Sequence, residues 1–193
     1  GVGNESWGCG GMMNAEQYGD EFRRYNHFIT NYDIHNPVKR VMCGPHGGDT
    51  NWTERVMKAS LDYFLPEVAL MAKAMGKYPS GIALHHYAAA GNVTIDPETV
   101  TMRMDSDCTA TDFGEDNWYK TMKSALEVDG MIKAHSEIVQ ELDPVGDIGI
   151  YVDEWGIWNV SEEGTNPAHL FQQNTIRDAV LAGASLNVFN KNS

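Results

Sequence analysis

Two short segments carry the residues whose types and placing could do chemistry. They are Gly3-Asn4-Glu5-Ser6-Trp7-Gly8 near the start and Tyr151-Val152-Asp153-Glu154-Trp155-Gly156 near the end. Each reads as the end of a strand, carries a Glu, and turns into a loop containing an aromatic residue and glycine. Taken singly, such a Glu is most often a solvated carboxylate. As a pair converging on one cleft, the two suit cleavage of a glycosidic bond, in which one carboxyl group protonates the leaving oxygen and the other, ionised, attacks or activates water. Asn4 offers an amide to a sugar hydroxyl, and Trp155 and Trp158 offer apolar faces on which a sugar ring can stack.

A second group lies in Gly81-Ile82-Ala83-Leu84-His85-His86-Tyr87, which reads as a buried strand. Residues two apart on a strand face the same side, so His85 and Tyr87 point one way and His86 the other. If that side is the cleft, His85 lines it and Tyr87 reaches the carboxylate of Glu154. The alternative is a packed tyrosine and a satisfied core histidine. Cys9, four residues after Glu5 in a glycine-rich turn, reads as a small buried thiol rather than a nucleophile. His46 and Asp49 follow the short Val38–Cys43 strand with generic spacing, so neither a metal site nor a cofactor is expected.

The elements that must position these residues alternate. A helix over 15–30, N-capped by Asn14, carries Tyr18, Phe22 and Tyr25 as an apolar stripe. A short strand over 38–43 ends at Gly44-Pro45, and a helical stretch over 53–76 is broken in two by Pro66. Residues 88–116 read as an irregular polar insertion beside the cleft. A helix over 117–142, a strand over 147–153, a helix over 168–182 and a last strand over 185–190 follow. Strand–helix alternation implies a parallel sheet covered by helices, either doubly wound or a (β/α)8 barrel. In both, chemistry collects at the C-terminal ends of the strands. No glycine-rich phosphate loop opens a helix, which disfavours nucleotide binding. A complete barrel takes about 250 residues, so the element count fits a partial barrel. The start at Gly1-Val2-Gly3 also suggests an incomplete chain.

The composition narrows the partners. Asp and Glu number 27 against 14 Lys and Arg, a formal charge of −13, which disfavours nucleic acid and anionic membranes. No stretch reaches the roughly 18 apolar residues of a membrane span. Three cysteines without CxxC spacing suit neither a disulfide framework nor a zinc site, and reduced thiols suit a cytosolic setting.

The motifs together resemble the family 51 glycoside hydrolases, chiefly α-L-arabinofuranosidases. The matching residues are Gly1 to Gly11 (GVGNESWGCGG), Cys43-Gly44, His85-His86-Tyr87, Val152 to Gly156 (VDEWG) and Gln172 to Ala179 (QQNTIRDA). They run in order over nearly the whole chain. The resemblance implies a TIM barrel fragment of about strands 4 to 8, with residues 1–193 all within the catalytic domain. It also implies Glu5 as acid/base, Glu154 as nucleophile, and Asn4, His85, Tyr87 and Trp158 as substrate-binding residues. The implied substrate is an arabinose-containing glycan, split with retention, and the family pattern leaves room for a homo-oligomer in the full-length enzyme. An endo-acting β-glycanase with the same two-Glu plan and a non-catalytic carbohydrate-binding relative remain the alternatives.

Overall fold

The computed structural model describes residues 1–33, 35–62, 65–91, 93–96, 101–104, 108–162, 164–165 and 173–193. The chain is an α/β protein with a parallel three-stranded sheet in the order β1-β2-β5, where β1 is Val41–Met42, β2 Gly81–Ala88 and β5 Gly149–Ile157. Val2 adds a single parallel bridge to Met42 on the outer side of β1. The chain divides into two compact units, Gly1–His85 with Met131–Glu154, and His86–Gly130 with Trp155–Ser193.

In the first unit, α1 (Ala15–Phe28) starts where a reciprocal cap allows it. Asn14 Oδ1 accepts from the Gln17 N–H at 2.8 Å, and Gln17 Oε1 accepts from the Asn14 N–H at 3.1 Å. Tyr18 and Phe22 are buried as expected, but Tyr25 is 62% exposed and Asn26 takes the buried place in the last turn. The face is rotated because α1 lies close against α2 (Thr50–Leu61): a Cβ on Gly19 would sit 2.6 Å from that of Ala59. Asp49 caps α2 by accepting from the Trp52 N–H at 3.1 Å. Pro66 opens α3 (Pro66–Ala74) at its first position, where a missing N–H breaks no helical bond. The predicted break at Pro66 is therefore observed. The strand expected over 38–43 shrinks to the two residues of β1. Met42, Ile82, Val56, Met57, Val139 and Ile148 close the core around Tyr18 and Trp52.

Helix α5 (Val128–Leu142) leads into β5 through a turn organised by Asp143. Its carboxylate accepts from the Tyr78 hydroxyl at 2.7 Å and from the N–H groups of Val145, Asp147 and Ile148 at 2.9, 2.6 and 2.8 Å. Burial pushes this carboxyl up, but the four donors outweigh that and hold it below the usual carboxylate range.

In the second unit, three expectations are corrected. The stretch 88–116 is not wholly irregular: β3 (Val93–Asp96) and β4 (Thr101–Met104) pair antiparallel, with Val93 opposite Met104. The helix expected over 117–142 is two helices, α4 (Glu115–Leu126) and α5, parted at Glu127. The strand expected over 185–190 is helical, because α6 runs unbroken over Ile176–Lys191. Its alternating Ser185-Leu186-Asn187-Val188 pattern is β-like, but once Thr175 has capped the helix, each further residue adds a hydrogen bond without a new nucleus. Leu181, Ser185 and Val188 then fall on one buried face, and Leu186 is half-exposed. The start predicted for that helix, at 168, lies outside the described residues; the helix observed begins at Ile176. Ala88, Ala125, Ile157 and Leu181 form this unit's core. Fully buried Arg177 ties its parts together, donating to Asn159 Oδ1 at 2.7 Å and Thr109 O at 3.2 Å, with its guanidinium 3.9 Å from the centre of the Phe113 ring.

Candidate active site

Glu5 does not end a regular strand. It follows the single bridge at Val2 and sits at φ +42°, in the left-handed region that costs a non-glycine residue about 1–2 kcal/mol. The turn that follows stabilises this conformation, since Gly8 N–H and Gly10 N–H both donate to Glu5 O, at 2.8 and 3.1 Å. Gly10 is obligatory there, because a Cβ would lie 1.6 Å from Asn4 O. Ser6, buried behind the turn, donates its N–H to Cys43 Sγ at 3.3 Å and so anchors the loop to the end of β1. Glu154 lies inside β5, three residues before its end, rather than just beyond a strand.

His85, near the C-terminal end of β2, joins the two carboxylates. Its Nδ1 is 3.1 Å from Glu5 Oε1 and 3.7 Å from Glu154 Oε2, and its Nε2 is 3.4 Å from Asp153 Oδ1. Glu5, His85 and Glu154 each present one ligand-type atom within 4.8 Å of the others. Such a set could on composition hold a cation, but it equally describes two carboxylates bridged by an imidazole. His86 faces the other way, as the strand period requires. It is buried against Ser124 O at 2.9 Å, and burial pushes its imidazole below its usual range.

Asn4 is exposed beside Glu5. Tyr87 and Trp158 meet edge to face at 5.1 Å within the second unit. With Trp155, Asn174 and Asp178 they line a cavity of about 480 Å³. Cys9 is exposed, not buried, and its thiol donates to Glu5 Oε2 at 3.3 Å. The Glu5 carboxylate pushes this thiol above its usual range. Asp49 is used as a helix cap, and His46 packs edge-on against Trp7 at 4.8 Å. Asp153 was not singled out as a partner of His85. Its place next to Glu154 was the only signal, because alternation along a strand predicts that neighbours point apart.

Comparison with known proteins finds similarity first to α-L-arabinofuranosidases. Residues 153–193 match the family model described as the α-L-arabinofuranosidase C-terminal domain. An intracellular exo-α-L-arabinofuranosidase of Bacteroides ovatus is 39% identical over 191 residues, which cover 99% of this chain and 32% of that protein. The similar solved structures are of glycoside hydrolase family 51. The family 51 arabinofuranosidase of Xanthomonas axonopodis pv. citri superimposes with a TM-score of 0.76 at 32% identity, over 98% of this chain and 33% of that one. A family 51 α-L-arabinofuranosidase from Bifidobacterium longum shares the fold at 17% identity, with a TM-score of 0.62 over 98% of this chain and 34% of its own. The resemblance read from the motifs is therefore a relationship to family 51 arabinofuranosidases. The chain spans about a third of the length of these relatives.

Proposed function

We propose that the protein is a retaining glycoside hydrolase that removes terminal α-L-arabinofuranosyl groups from arabinose-containing polysaccharides and oligosaccharides. The observation that carries the reading is the placing of a Glu5 oxygen and a Glu154 oxygen within 4.8 Å of each other, with His85 beside both. A retaining pair sits about 5–5.5 Å apart, whereas an inverting pair leaves roughly 6.5–9.5 Å for a water molecule. In this reading Glu154, ionised, attacks the anomeric carbon and the glycosidic C–O bond breaks as Glu5 gives its proton to the departing oxygen. Glu5 then takes a proton from the water that opens the glycosyl ester, and Glu154 leaves as carboxylate. His85 orients Glu5 through Nδ1. Asn4, Tyr87 and Trp158 are assigned to sugar binding.

We read residues 1–193 as part of a catalytic (β/α)8 barrel. Val2, β1, β2 and β5 would stand for strands four to seven, and α6 for the helix after strand seven. No helix among the described residues is long and apolar enough to cross a membrane. The name of the Bacteroides relative and three free cysteines support an intracellular setting. The test is chemical rescue in the whole enzyme. Glu154→Ala should lose turnover of an aryl α-L-arabinofuranoside and regain part of it with azide, giving a glycosyl azide of inverted configuration. Rescue with retained configuration, or turnover of aryl glucosides or xylosides in preference to the arabinofuranoside, would refute the assignment.

A further inference from the structure

The two oxygens of Glu5 are held by different groups. His85 Nδ1 lies against Oε1 at 3.1 Å, and the Cys9 thiol lies against Oε2 at 3.3 Å. The thiol is not there by accident of a flexible loop. The left-handed backbone at Glu5 and the two N–H bonds back to its carbonyl fold the chain so that the residue four positions on returns over the carboxylate. Gly10, whose Cβ would strike Asn4 O, permits the close return of the chain.

An exposed cysteine in a glycine-rich turn invites a reading as a reactive nucleophile, but its surroundings oppose it. A thiolate needs a cation or a helix N-terminus nearby, and Cys9 instead faces a carboxylate that keeps the sulfur protonated. A protonated thiol is a weak hydrogen-bond donor.

We propose that Cys9 is a positioning residue for the acid/base: together with His85 on the other oxygen, its S–H fixes the plane of the Glu5 carboxyl group. This rests on the assignment of Glu5 as acid/base. Around Glu5 stand His85 on β2 and Glu154 on β5, and the buried Cys43 at the end of β1 holds the neighbouring Ser6 N–H. Among the described residues, His85 and Cys9 bond its carboxylate oxygens directly.

A carboxyl group free to turn presents its proton to the departing oxygen less often, so the loss should grow with the protonation that the leaving group needs. Cys9→Ala should therefore lower kcat/KM several-fold for arabinofuranosides with poor leaving groups and leave those with good leaving groups nearly unchanged. Cys9→Ser restores a donor at the same place and should recover most of the loss. A packing role alone would lower all substrates equally. An equal loss across the series in Cys9→Ala, or Ala and Ser variants failing together, would overturn the proposal. Glu5→Gln is measured alongside across a leaving-group series. If it costs all substrates equally, the acid/base assignment itself fails, whatever the cysteine variants do.

Discussion

Asp143 lets the structure predict a magnitude. It is 8% exposed and accepts four hydrogen bonds, two on each carboxylate oxygen, which shape the turn from α5 into the strand that carries Glu154. Asp143→Asn keeps the volume and one acceptor oxygen. The amide nitrogen does least harm in place of Oδ1, where the Tyr78 hydroxyl can turn and accept from it, but the Val145 N–H is then left facing a donor. A bond to an ionised acceptor contributes about 1.5–3 kcal/mol, and losing one while the other three lose their charged acceptor should cost about 3 kcal/mol at neutral pH. Because the folded carboxyl is held below its ordinary range, its contribution is fully present above the unfolded value of about 3.9 and is lost as pH falls through the lower folded value. Urea denaturation of both forms at pH 7, 5 and 3 measures this. The gap should be full at pH 7 and 5 and begin to narrow only below about pH 4. Hydrogen exchange at the Asp147 and Ile148 amides should accelerate in the variant. A gap under about 1 kcal/mol at pH 7, or one that does not narrow in acid, would refute the account of this turn.

Two further substitutions test how the site is held. Asn14→Ala removes the side-chain half of the α1 cap and should cost about 1 kcal/mol in urea denaturation; no change would mean that packing against α2 alone sets the start of the helix. Gly44→Ala places a Cβ 1.5 Å from Ala83 O, a backbone atom that cannot swing aside, and should cost about 3 kcal/mol or more or prevent soluble folding. Wild-type stability there would show that the end of β1 does not approach β2 as described. The azide-rescue experiment on Glu154 and the leaving-group series of the Cys9 variants complete the set.

Much of the site was legible in the residue order. Asn14, Pro66 and the His85-His86-Tyr87 run each act through local rules, namely capping, a missing N–H and strand alternation, and each behaves as those rules require. The paired Glu motifs and the family relationship were likewise fixed by residue types in order. Tertiary structure decided what local rules cannot reach. The close approach of α2 at Gly19 turned the buried face of α1 away from Tyr25. Ser185–Asn190 took the helix already under way, although its own alternation suits a strand. That Cys9 bonds the carboxylate of Glu5 depends on a left-handed backbone at a non-glycine residue, which no propensity predicts. The meeting of Glu5, His85 and Glu154 within one group of contacts joins residues far apart in the chain, and only the pairing of the strands brings them together.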